Sequence, residues 1–319
     1  MKSRFRIVAG LALVAAASYV LLAQEPKPAQ KKGQQRGNTP SVIQIMDTKD
    51  MSTRVVYRSP FVFEAPNWSP DGKYLLLNSR GKLWKLPVEG GEPAAVDSGT
   101  VTRLNNDHGI SADGKWFAIS AGNVYILPSS GGEPKPITKT TPSYFHTWAP
   151  DGKSIIMCAQ RDSNFDLYRV PVDGGDEVRL TVDKGYDDGP DFSPDGKWIY
   201  FNSDRSGSWD IWRIPAAGGG PDDKNAEQIT KDEFEDWFPH LSPDGKQVVL
   251  ISFEKGTQGH PANQQVMLRM MPVSHGKPDA SKIKVIAHLF GGQGTMNVNS
   301  WSPDSRHFAF VSYEKAPQR

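Results

Sequence analysis

The sequence predicts an all-β fold: a six-bladed β-propeller of four-stranded antiparallel blades. Three observations predict it. The phrase Ser-Pro-Asp-Gly-Lys stands complete at 69–73, 193–197 and 242–246, and variants begin at Ser111, Ala149 and Ser302. In such a phrase Pro presets φ, Asp closes a turn through its own backbone and Gly takes the left-handed position, so each copy is a tight turn between antiparallel strands. The turn aspartates are Asp71, Asp113, Asp151, Asp195, Asp244 and Asp304, giving steps of 42, 38, 44, 49 and 60 residues, the period of a four-stranded blade. Helical periodicity is absent beyond the N-terminal apolar run.

Each element follows in chain order. Residues 1–23 carry three basic residues and an apolar run from Ile7 to Ala23, the pattern of an export signal, cleaved after Ala23 or kept as an inner-membrane anchor. Residues 24–40 are rich in Pro, Gln, Lys and Gly, a composition that buries nothing and reads as a flexible tether. Residues 41–319 form the propeller. Each turn is followed by a β-rich run such as KYLLLNS or KWIYFNS, then a third strand ending in Gly-Gly, then a short fourth. The sixth repeat supplies only two strands before the chain stops, and 41–59 reads as the missing third and fourth. Their pairing closes the ring and removes its open edges.

Composition narrows the function. Without the leader cations Lys2, Arg4 and Arg6 and the tether's net +3, the chain's charge of +1 becomes −5 on the propeller, which argues against a nucleic-acid surface. The single cysteine, Cys158, lies in an apolar strand and reads as a small core residue. The chain lacks a GxSxG elbow and a phosphate loop.

The SPDG turns share one face of the ring with the Gly-Gly turns, while the longer and more polar loops gather at the other. Seven residues before each turn aspartate stand Glu64, Asn106, Tyr144, Asp188, Trp237 and Asn297, and five before stand Pro66, His108, His146, Pro190, Pro239 and Asn299. The mouth framed by these positions also receives Asp187, His240, His260 and Gln293. Asn106, His108, Tyr144, His146, Asp187, Asp188, His240, His260 and Gln293 therefore form the candidate ligand-binding pocket. The bland alternative for each is capping of exposed backbone groups, and His240 stands one residue out of step with His108 and His146. No metal or other cofactor is expected. His108, His146 and His240 would be the ligands if a divalent metal bound, though no close ligand spacing is present. No catalytic residue is assigned.

The SPDGK phrase, the DIWRIP third strand and the closing NVNSWSPDSRHFAFVSY resemble the propeller domain of the TolB family over 41–319. The resemblance implies a periplasmic binding module, monomeric, for an envelope protein or glycan, without membrane contact beyond an N-terminal anchor. No counterpart of the family's separate α/β domain is expected, since residues 24–40 run straight into the first strand. Similar repeats in oligogalacturonate lyase, which holds a divalent metal through His and Gln, imply an alternative: a carbohydrate-active lyase or hydrolase using His and Asp groups at the mouth.

Overall fold

The computed structural model describes residues 39–314, so the export-signal reading of 1–23 and most of the tether lie outside the described residues. The described residues all belong to one compact unit. That unit is a six-bladed β-propeller.

The turn phrase folds as its chemistry dictates. At the first copy Ser69 Oγ donates to Asp71 Oδ1 at 2.7 Å and accepts from the Tyr74 amide at 3.0 Å. Asp71 Oδ1 accepts from the Lys73 amide at 3.1 Å, and Gly72 takes φ +75°. The arrangement recurs at Ser193 and Ser242. At the sixth copy Ser305 occupies the left-handed position at φ +61°, and at the third Ala149 replaces the serine, so the hydroxyl bonds are missing there.

Five blades run in chain order from the axis outward, their innermost strands being Glu64–Trp68, His108–Ile110, Ser143–Trp148, Asp187–Phe192 and Glu235–Leu241. The fifth blade is the largest: its third strand, Ala262–Ser274, pairs with both Gln247–Phe253 and an outer strand, Lys284–Gly292. The sixth blade closes the ring. Ser41–Asp47 pairs with His307–Tyr313 on one side and Thr53–Ser59 on the other. Its innermost segment differs from the expected strand, keeping only an isolated bridge from Trp301 to Phe308, because Asn297 and Asn299 turn their side chains onto nearby backbone instead.

The core lies between facing blades. Four residues after each turn aspartate stand Leu75, Phe117, Ile155, Ile199, Val248 and Phe308, all completely buried. Each such side chain contributes roughly 1.5–3 kcal/mol, and the repetition fixes one register for all six blades. Inner-strand glycines make room for the next blade: a Cβ on Gly109 would lie 2.5 Å from the Phe145 ring, and one on Gly189 would lie 2.8 Å from the Phe238 ring.

Candidate functional site

Near the start of the innermost strand of the first, third, fourth and fifth blades the pairing with the second strand shifts register. Ala65, Gly189 and Phe238, six residues before their turn aspartates, all have left-handed backbone, at φ +53°, +62° and +54°. For Phe238 this conformation costs on the order of 1–3 kcal/mol. It seats the ring between two histidines, stacked on His146 at 6.3 Å and edge-on to His260 at 5.0 Å between centroids.

Both histidines face one carboxylate. His146 Nε2 lies 2.9 Å from Asp188 Oδ1, and His260 Nε2 lies 3.8 Å from Asp188 Oδ2. The Tyr186 hydroxyl donates to Asp188 Oδ2 at 3.4 Å, and the Gly189 amide donates to Oδ1 at 2.9 Å. Burial, reinforced by the Asp188 charge, pushes the Tyr186 hydroxyl well above its ordinary value. The side chains of Asp188, His146 and His260 are at most 1% exposed, so this is a closed network.

An aromatic ladder climbs beside it. Phe165 stacks between Tyr144 at 6.3 Å and Tyr186 at 4.5 Å, while Trp209 links Tyr186 to Trp237. Tyr144, Phe165 and Tyr186 are half-buried at the rim; Trp209 and Trp237 are buried beneath. Trp209 therefore packs, and Trp212 lies beneath the Arg205 guanidinium.

The remaining candidates go elsewhere. His108 is buried with Nε2 3.3 Å from the Leu76 carbonyl oxygen, and burial pushes its imidazole down to about 4. Asp187 points to the opposite side of its strand from Asp188, where Oδ2 accepts from Arg205 at 2.7 Å; burial raises it to about 6. Asn106 is buried. Gln293 sits half-buried in the loop before the sixth blade, its carbonyl accepting from the Tyr313 hydroxyl at 2.9 Å.

His240 joins a second network deeper in the channel. Asp191 Oδ1 accepts from Thr147 Oγ1 at 3.1 Å, and Oδ2 accepts from Asn299 Nδ2 at 2.8 Å and lies 3.4 Å from His240 Nδ1. Asn67 extends the belt, donating to the Asn299 carbonyl at 2.6 Å and accepting from the Ile110 amide at 2.9 Å. All six blades are thereby tied at one level. Sequence reasoning missed this belt, whose signal was the position four before the turn aspartate, polar at Asn67, Thr147, Asp191 and His240.

Among the described residues no three His, Cys, Asp or Glu side chains converge as metal ligands do, so His108, His146 and His240 are not brought together. Nor is any helix among them long and apolar enough to cross a membrane.

Comparison with known proteins agrees with this architecture. The TolB beta propeller domain family matches residues 124–281. An uncharacterized protein of Agrobacterium fabrum is 47% identical over 284 residues, covering 87% of this chain and 94% of that protein. A solved TolB candidate from Agrobacterium tumefaciens is also 47% identical, covers 88% of this chain and all of that chain, and superposes with a TM-score of 0.81. TolB from Acinetobacter baumannii, 20% identical with a TM-score of 0.62 over 82% of this chain and 66% of that one, shares the fold.

Proposed function

Because this chain belongs to the TolB-like β-propeller family, we propose that it works as an exported, periplasmic binding module, a rigid ring that recognises an envelope protein at its mouth. The observation that carries this reading is the disposition of the mouth's side chains. Groups suited to acid–base work, His146, Asp188 and His260, are turned onto one another and buried, whereas the half-buried ladder Tyr144, Phe165 and Tyr186 meets solvent. The Tyr186 ring stacks on Phe165 at 4.5 Å, with the Tyr144 ring at 6.3 Å. Aromatic side chains grouped in this way suit a protein partner, where aromatic anchors dominate affinity.

The test is photo-crosslinking in the cell from a benzoylphenylalanine placed at Phe165. A discrete protein adduct, lost when Tyr144→Ala is added and absent from a probe at outer-strand Val285, supports the reading. Equal adducts from both positions would overturn it. Convergence of His146 and His260 on Asp188 favours a second reading, carbohydrate chemistry after the mouth opens. It requires turnover of an acidic oligosaccharide that His146→Ala abolishes with the fold intact, and a divalent metal in that role would make the melting temperature fall on chelation. The binding reading expects the same melting temperature with and without chelator.

A further inference from the structure

On the face opposite the mouth, the SPDG turns pack against one another around most of the ring. A Cβ on Gly114, Gly196 or Gly245 would lie 4.0, 3.4 or 4.0 Å from the preceding blade's turn proline, Pro70, Pro150 or Pro194. The fifth and sixth turns are joined by a hydrogen bond from the Asp244 amide to Ser305 Oγ at 2.9 Å. The contact fails between the second turn, which carries Ala112 in place of proline, and the third, where nothing stands within 4 Å of such an atom on Gly152, and it fails likewise on Gly72 between the sixth turn and the first. A cleft of about 480 Å³ opens at this seam, within the ~300–1,000 Å³ range of ligand sites.

Its lining has a definite chemistry. The Trp68 and His307 rings stand 6.3 Å apart between centroids, with Pro70, Pro303 and Val88 as apolar walls. Three carboxylates, Asp71, Glu89 and Asp304, line it, with Arg54 and His307 as the basic groups of the lining; Lys73 Nζ stands 3.7 Å from Asp71 Oδ2 and His307 Nδ1 3.6 Å from Asp304 Oδ1. Hydrogen bonding by the Ser69 hydroxyl holds Asp71 below the usual carboxylate range, and Asp304 is likewise lowered by Ser302, against the effect of its burial. Elsewhere the molecule shows what such a lining accepts. In the fourth blade the Arg213 guanidinium lies 3.8 Å over the Trp198 ring while bonding Glu227 at 2.8 Å: indole, guanidinium and carboxylate in one stack, favourable through cation–π attraction and charge together.

We propose that the seam cleft is a docking site for a protein segment presenting an arginine, whose guanidinium stacks on Trp68 and pairs with Glu89 and Asp304. The surplus of carboxylates selects a cation, the propeller's net negative charge draws it in, and the proline walls suit an extended chain. The site stands apart from the mouth and does not depend on the reading given above.

Titration of the full chain with acetyl-Gly-Arg-Gly-amide, followed by the ¹⁵N indole cross-peak of Trp68 assigned through Trp68→Phe, tests it. The arginine peptide should shift that peak, added salt should weaken the effect, and Glu89→Arg, at an exposed position, should weaken binding about fivefold, a surface charge-pair effect. Tyr144→Ala at the mouth should leave the titration unchanged. An equal response to the citrulline peptide, an unshifted indole, or a Glu89→Arg variant that binds as well as the parent would overturn the proposal. Tighter binding of spermidine than of the peptide would overturn the assignment to a protein segment.

Discussion

Gly189 and Gly174 separate two costs that a glycine can hide. Both have left-handed backbone, at φ +62° and +85°. A Cβ on Gly174 meets nothing within 4 Å, whereas one on Gly189 would stand 2.4 Å from Asn202 Oδ1 and 2.8 Å from Phe238. That Asn202 oxygen accepts from the Phe238 amide at 3.1 Å, so it cannot retreat without breaking the bulge. Gly174→Ala should therefore cost about 1–2 kcal/mol, the backbone penalty alone. Gly189→Ala should cost roughly 3 kcal/mol or more, adding overpacking, and urea unfolding of the two variants reads the difference. Equal losses would show that the mouth yields more readily than its packing implies. At this scale the sequence was only partly legible. The spacing placed His146, Asp188 and His260 at the mouth, yet it could not divide Asp187 from Asp188. Alternation sends one to Arg205 and the other to the histidines, and which goes where depends on the bulge at Gly189. His108 and His146 occupy equivalent positions, but the neighbouring blades offer them different partners, a backbone carbonyl and a carboxylate.

The turn is the element that sequence reveals most fully, because its chemistry is local: Ser, Asp and Gly complete their bonds within five residues. Closure by Ser41–Ser59 was legible for a different reason, since a repeat lacking two strands needs them from the other terminus. The innermost segment of the sixth blade was not legible, because Asn299 bonds the Leu241 carbonyl and the Asp191 carboxylate, neighbours far along the chain. Ala149 gives the turn its own experiment. Restoring the hydroxyl with Ala149→Ser should stabilise the protein by about 0.5–1 kcal/mol, and Ser193→Ala should cost about 1 kcal/mol. The Ser193 hydroxyl also holds Asp195 below its ordinary value. A lowered carboxylate contributes stability above the unfolded value near 3.8 and loses it as pH falls through the folded one. Denaturant unfolding of Ser193→Ala should accordingly show a weaker loss of stability below pH 4 than the parent. Parallel acid limbs would mean that the hydroxyl does not set the charge.

Across the whole molecule a second set of carboxylates acts in the opposite direction. Burial pushes Asp187 up to about 6 and both Asp166 and Asp236 up to about 7, although each meets a guanidinium, from Arg205, Arg179 and Arg269, at 2.7 to 2.8 Å. Desolvation outweighs the attraction of those partners, while Arg205, despite its own burial, is held above its ordinary value by Asp187 and Asp223. Between about pH 4 and pH 7 the folded chain thus keeps protons that the unfolded chain has released, and stability falls as pH rises through that window. His108, held down to about 4 by burial, acts the other way below about pH 6.5, one group against three, and the turn aspartates withdraw stability below pH 4, so the melting temperature should peak near pH 5 and decline toward pH 7. Asp236→Asn removes one titrating group while leaving Arg269 its bond to Asp232 at 2.7 Å, so its decline between pH 5 and pH 7 should be shallower than the parent's. A parent melting temperature that rises across that range would show that the guanidinium pairs, rather than the burial of their carboxylates, govern how the blades hold together.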